Sequence, residues 1–176
     1  MDFLKTFLIN FFPISGIKKQ EFVTGIDHVV QVASLPIINE NGKNLNLSEQ
    51  NHRRLVCLCK LSEVQNIHKV KESERSHQRD LFLFNDILVV TKQTSKNGKN
   101  STPIYTQRQT LNLKGLEVTL FHTPVYQFGI QISRNNQVLL SLNAGSEHDR
   151  YKFVMDLQES IYEMDLMEQA TKSLSI

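Results

Sequence analysis

The side chains of this chain with the most evident chemistry are cations. Lys60, Lys69, Lys71, Arg75, Arg79, Lys92, Lys96, Lys99 and Arg108 fall inside one window, 53–108, which holds 11 Lys and Arg against 5 Asp and Glu. Lysine and arginine bind phosphate oxygens by charge-assisted hydrogen bonds, and a local excess raises a potential that attracts phosphates or anionic lipid. The C-terminal stretch 146–176 has the opposite sign, 3 basic against 7 acidic residues, so the formal net charge of +2 hides a polar layout.

Little else in the chain is arranged for reaction chemistry. His28, His52, His68, His77, His122 and His148 show no metal-ligand spacing and no recognisable triad. The 7 glycines form no phosphate-cradling loop, which argues against nucleotide binding. Acids interrupt the basic window and exposed aromatics do not interleave with it, which argues against nucleic acid. Cys57 and Cys59 stand two apart in a strand pattern, hence on one face, and read as two reduced thiols of a cytosolic protein. No catalytic residue, metal ligand or cofactor is assigned.

The elements that must position the cations read mostly as strands. RDLFLFNDILVVTK (79–92) is two apolar runs folded back at Asn85-Asp86, a pair that suits a tight turn through its tolerance of positive φ and its bonds to nearby backbone. Arg54–Val64 alternates, with Leu55, Cys57, Cys59 and Leu61 on one face. Ile104–Leu111, Leu116–His122, Tyr126–Ser133 and Gln137–Asn143 follow, separated by Lys114-Gly115, Thr123-Pro124 and Asn135-Asn136. Seven strands with turn chemistry at short spacing predict an antiparallel barrel or sandwich. Charged loops occupy 65–78 and the stretch around Asn97-Gly98.

One helix closes the chain. Ser146 and Asp149 form a variant capping box, and Phe153, Val154, Leu157, Ile161 and Met164 recur at helical spacing. Asp156, Glu159, Glu163, Asp165 and Glu168 make the other face acidic, read as solvated. At the opposite terminus, 1–33 is weakly helical, with a stripe of Phe3, Leu4, Phe7, Leu8, Phe11 and Phe12. Lys5 and Asn10 interrupt that stripe and Pro13 ends it, and at under about 15 residues it cannot cross a bilayer. It reads as an amphipathic or core-packing helix rather than a signal sequence. The Asn-rich stretch 34–51 reads as a linker.

HRRLVCLCKLSEV (52–64), HQRDLFLFNDILVVTK (77–92), YTQRQTLNLKGLEVTLF (105–121), GIQI (129–132) and DRYKFVMDLQESIYEMDLMEQ (149–169) resemble the pleckstrin-homology (PH) domain of the BRAG group, the IQ-motif and Sec-seven-domain Arf guanine-nucleotide exchange factors. DHVVQV (27–32) is similar to the segment that joins that family's exchange domain to its PH domain. The resemblance implies a mainly β fold: a seven-stranded antiparallel barrel closed by a C-terminal helix over 52–170, with a short helical or irregular N-terminal extension and a tail, 171–176. Two features depart from the pattern. No exchange domain is recognisable, so the chain is expected to be a fragment, a truncated product or a free-standing module, and not an enzyme by itself. The usual tryptophan of the last helix is replaced by Phe153.

The implied function is membrane targeting and regulation of Arf nucleotide exchange by a cytoplasmic, peripheral membrane domain. Both basic loops of such a barrel open at one end, so the nine cations named above are expected to converge on a shallow site for phosphoinositide or acidic phospholipid, with an Arf-family GTPase as a further partner. Low selectivity is expected, since Asp80 would repel phosphate unless it points away, and Glu72 and Glu74 dilute the first loop. The competing expectation is a protein-interaction module that binds a GTPase or peptide and ignores lipid.

Overall fold

The computed structural model describes residues 32, 34–47, 52–68, 77–94 and 103–173. The helical stripe expected over 1–12 and the loop tip Asn97-Gly98 lie outside them. The described strands are β1 (Ile37–Ile38), β2 (Leu55–Glu63), β3 (His77–Phe84), β4 (Ile87–Thr94), β5 (Ile104–Asn112), β6 (Glu117–Phe121), β7 (Gly129–Arg134) and β8 (Gln137–Asn143), followed by helix α1 (Glu147–Ser173). They form one sheet in the order β1-β5-β4-β3-β2-β8-β7-β6.

All seven expected strands are present, in a mainly β architecture of the PH type. The ladder differs from the expected barrel in that it does not close: β1 and β6 are its two ends. Its halves meet at one corner, where β2 pairs with β8 through Ser62↔Asn143 and Glu63↔Leu142, and Val64 N–H donates to Ser141 O at 2.8 Å. Helix α1 then covers the interior that the ladder leaves open. Phe153, Val154 and Leu157 enter the same core as Leu61, Leu81, Leu83, Ile130, Ile132 and Leu142. Phe153 is fully buried where a tryptophan would otherwise sit, and burying such a ring contributes on the order of 2–3 kcal/mol.

The helix start follows from Ser146. Its hydroxyl accepts the Asp149 N–H at 3.1 Å and donates to the Asp149 carboxylate at 2.7 Å. The shorter acid thus bonds the capping hydroxyl itself rather than reaching the Ser146 backbone, as a longer glutamate would.

A second core lies on the outer face of β3 and β4, and it was not legible from strand alternation. Phe82, Phe84 and Val89 pack there against Val32, Ile37 and Leu47, with the Phe82 and Tyr105 rings edge to face at 5.0 Å. The stretch expected as a linker therefore contributes a strand. Ile37↔Tyr105 and Ile38↔Thr106 are parallel pairs, Ile37 is 0% exposed, and Tyr105 N–H donates to Pro36 O at 2.9 Å. The Asn-rich composition has a local use: Asn39 Oδ1 accepts N–H bonds from Asn41 and Lys43, both at 3.0 Å, while Gly42 turns the chain at φ 75°. Leu45 N–H then returns to Ile37 O at 2.8 Å.

The β3–β4 turn is held by remote partners. Asn85 Oδ1 accepts Arg54 N–H at 2.8 Å and its Nδ2 donates to His52 O at 3.2 Å. Arg53 grips Asp86 through Nε at 2.8 Å and Nη2 at 2.6 Å, and its Nη1 donates to Leu47 O at 3.0 Å. The positive φ anticipated at this turn occurs instead at Asn135 and Asn136, at 51° and 62°, in the β7–β8 hairpin. The Asn85-Asp86 turn thus works by hydrogen bonding across about thirty residues of sequence.

If 34–47 is part of the folded unit, truncating Ile37 must open a cavity. Ile37→Ala should cost about 2–4 kcal/mol, read as a lower urea midpoint with unchanged slope. An unchanged midpoint would return the stretch to linker status.

Candidate functional site

The site expected from the sequence depends on where two basic stretches leave the sheet. β2 and β3 end together at the pair Glu63↔His77, and β4 and β5 end together at Thr94↔Ile104. Since β3 and β4 are hydrogen-bonded neighbours running antiparallel, all four ends lie at one end of the sheet. Of the nine predicted residues, Lys60, Arg79, Lys92 and Arg108 are described. Lys69, Lys71, Arg75, Lys96 and Lys99 lie outside the described residues.

Strand alternation divides the four. Arg79 shares the inward face of β3 with Leu81 and Leu83, both fully buried. Lys92 follows Leu88 and Val90 on the inward face of β4 and is exposed. Lys60 stands on the outward face of β2, cross-strand from Asp80, and its Nζ is 3.6 Å from the Asp80 carboxylate. Arg108 is the residue that the β4–β5 register skips, since Val90 pairs with Gln109 and Thr91 with Gln107. It bulges from β5 and meets Glu40 at 3.8 Å. The structure therefore places Arg79 and Lys92 together at the rim and turns Lys60 and Arg108 outward.

Arg79 is the least exposed of the four, at 8%. Its Nη2 lies 2.6 Å from Glu63 and its Nη1 donates to Gln78 O at 3.1 Å. Its Nε is buried with no partner among the described residues. Three of the four predicted cations thus face a carboxylate, and among the described residues Lys92 has no ion pair. Asp80 points away from Arg79, toward the outer face that carries Phe82. The counter-ions Glu63, Asp80 and Glu40 were missed in the sequence because their partners lie far off along the chain. Once a β2–β3 register is fixed, the Lys60↔Asp80 pair could have been read from it.

At the opposite end of the sheet the acids of α1 are not simply solvated. Glu163 pairs with Arg54, and Glu168 accepts from Lys114 and Lys172, each at 2.8 Å. These pairs hold the second half of α1 over the β3–β4 turn and the β5–β6 connection. Hydrogen bonds from Lys114 and Lys172 hold the Glu168 carboxyl down to about 2 from its usual 4.5. Asp156, nearer the helix start, is raised by burial, opposed by its hydrogen bond with Cys57 and by Lys152.

A groove of about 670 Å³ runs along the outer side of β2 and the β6–β7 connection, lined by Lys60, Ser62, Gln78, Gln127, Phe128 and Asn143. Its one cation is Lys60, already opposite Asp80. No group of three His, Cys, Asp or Glu among the described residues could hold a metal ion. Cys57 and Cys59 are free thiols on the inward face of β2, packed beside the helix. The hydrogen bond with Cys59 and burial push the Cys57 thiol far up, so thiolate chemistry is suppressed there. One surface feature was not anticipated: Tyr151, Met155, Tyr162 and Leu166 are 45–64% exposed and share one outward line of α1.

Comparison with known proteins agrees with this geometry. Residues 43–173 match the family model of the IQ/Sec7 PH domain. Among solved structures, the chain is similar to autoinhibited Vav1, with TM-score 0.54 and 16% identity over 78% of this chain and 23% of that one. It is similar to the apo activated truncation of Vav1, with TM-score 0.55 and 14% identity over 77% of this chain and 33% of that one. PDZ-RhoGEF DH/PH domains in complex with activated RhoA give TM-score 0.54 and 12% identity, over 77% and 40%. The chain spans well under half of each of these, and the likeness at such identities is one of fold.

Two measurements check the electrostatics. The carboxyl titration of Glu168 by NMR should have its midpoint near about 2, and Lys114→Ala should move it back toward 4.5. Because the folded value is depressed, the associated stability is present above about 4.5 and is lost as pH falls toward 2. In the folded chain at about pH 7.5, Cys57 should react with maleimide at least about tenfold more slowly than in urea, resolved by tandem mass spectrometry. Equal rates would remove the hydrogen-bonded, buried thiol.

Proposed function

This chain belongs to the PH domains of the IQ-motif and Sec7 group, and on that premise we propose that it docks on phosphoinositide or other anionic lipid and so targets and regulates Arf nucleotide exchange at a membrane. The observation that carries the reading is the common exit of both basic stretches. The ends at Glu63, His77, Thr94 and Ile104 lie at one end of the sheet, and the acids of α1 lie toward the other. Lys69, Lys71, Arg75, Lys96 and Lys99 stand between those strand ends in sequence, with Lys92 at the edge of the second stretch. Each basic group near an anionic leaflet is worth about 1 kcal/mol, so several reach micromolar avidity without a deep pocket. The domain itself performs no chemistry in this reading. It acts as a cytoplasmic, peripheral membrane module that holds an exchange domain near lipid-bound Arf.

The second reading is a module that binds a small GTPase or a peptide. The exposed line Tyr151, Met155, Tyr162 and Leu166 favours it, since uncharged aromatic and Met side chains are enriched at protein interfaces.

Reversing four charges separates the two. With Lys69, Lys71, Lys96 and Lys99 all changed to Glu, co-sedimentation with phosphatidylcholine vesicles containing phosphatidylinositol 4,5-bisphosphate should fall at least about tenfold at moderate salt. Vesicle binding that survives the change rules out the lipid reading and leaves the interaction module.

A further inference from the structure

Arg79 presents an unusual arrangement for a cation at an anion-binding rim. It is more than nine-tenths buried, yet one of its guanidinium nitrogens, Nε, has no acceptor among the described residues. A guanidinium offers five N–H donors in a rigid fork, and leaving a buried one unmade costs free energy. Glu63, the residue that engages Nη2, is the last of β2, and its side chain is 29% exposed. The buried member of the pair is therefore the cation, and the carboxylate is the one at the edge with room to move. Both sit at the strand ends from which the first basic stretch departs.

We propose that Glu63 is an internal counter-ion that occupies Arg79 in the free protein and yields it to a phosphate group of the ligand, so that Glu63 sets the affinity threshold of the rim. A phosphate carries more charge and more acceptor oxygens than a carboxylate, so once Glu63 has moved aside it can engage Nη2 and also Nε, which has no partner among the described residues. Displaced Glu63 then faces solvent, as its exposure permits. Lys92, on the neighbouring strand and the same face, adds a second donor. The exchange makes binding selective for dianionic phosphomonoesters over singly charged headgroups, because a single charge gains too little to replace the internal carboxylate. The inference rests on the phosphate-binding reading above and deepens it.

The test compares the full chain with Glu63→Gln, using soluble inositol 1,4,5-trisphosphate in one arm and vesicles in the other. Vesicles are phosphatidylcholine with phosphatidylserine alone or with phosphatidylinositol 4,5-bisphosphate. Glu63→Gln should bind trisphosphate and bisphosphate vesicles about three- to tenfold more tightly, and the gain should vanish when Arg79→Gln is added. Phosphatidylserine vesicles should gain proportionally more, which narrows the selectivity. If wild type binds and Glu63→Gln binds no better, the counter-ion role is wrong while the lipid reading stands. If neither protein binds in either arm, both fall. A gain confined to the soluble arm keeps the counter-ion and assigns the rim to free phosphates instead. Should Glu63→Gln lose its cooperative thermal transition, Glu63→Asp replaces it; the carboxylate drawn back by one methylene must give an intermediate gain, and no gain overturns the proposal.

Discussion

The structure depends on a hairpin that is buried on both faces. From Leu81 to Phe84 and from Leu88 to Val90, every side chain of β3 and β4 is enclosed. A sheet face left bare would expose Phe82, Phe84 and Val89 to water, at about 25 cal/mol for each Å² of apolar surface. The molecule therefore needs two covers. Helix α1 supplies the inner one through Phe153, Val154 and Leu157, and the 32–47 segment supplies the outer one through Val32, Ile37 and Leu47. The β3–β4 turn ties down both covers: Arg53 grips Asp86 and also holds Leu47 O, while Arg54, whose N–H donates to Asn85, pairs with Glu163 of α1.

That double cover explains the charge layout. With both faces of the hairpin occupied, polar side chains are displaced to its ends. At the far end, Arg54 and Lys114 meet the acids of α1, which anchors the helix and neutralises that end. At the near end, Arg79 and Lys60 meet Glu63 and Asp80 on opposite faces of the same strand pair. A cation so engaged projects little field of its own.

The legible part of the fold was the part written in local pattern. β2 is recovered by its alternation, β3 and β4 as two apolar runs folded at Asn85-Asp86, β5 to β8 by the turn residues between them, and the helix because Phe153, Val154 and Leu157 recur at its period. β1 was hidden because two adjacent isoleucines carry no period, and because its asparagines read as linker chemistry while serving a compact turn at Asn39. The cations of the site were legible by composition. Their states of pairing were not: Arg79 and Glu63 are brought together by a register, and Arg108 and Glu40 by a bulge. Spacing along the chain holds no record of either. The repulsion expected from Asp80 was resolved in the direction the alternation allows, since it shares its face with Phe82 and not with Arg79.

The irregular step at Arg108 carries a consequence beyond electrostatics. β1 shields only Tyr105 and Thr106, so the rest of β5 presents backbone donors and acceptors along an outer margin of the sheet. A straight margin of that kind invites another chain to add a strand and start an aggregate. Because the bulge breaks the hydrogen-bond spacing in the middle of β5 and places a charge there, an incoming strand cannot stay in step along it. Arg108, turned to the outer surface, thereby opposes strand addition along the β5 margin.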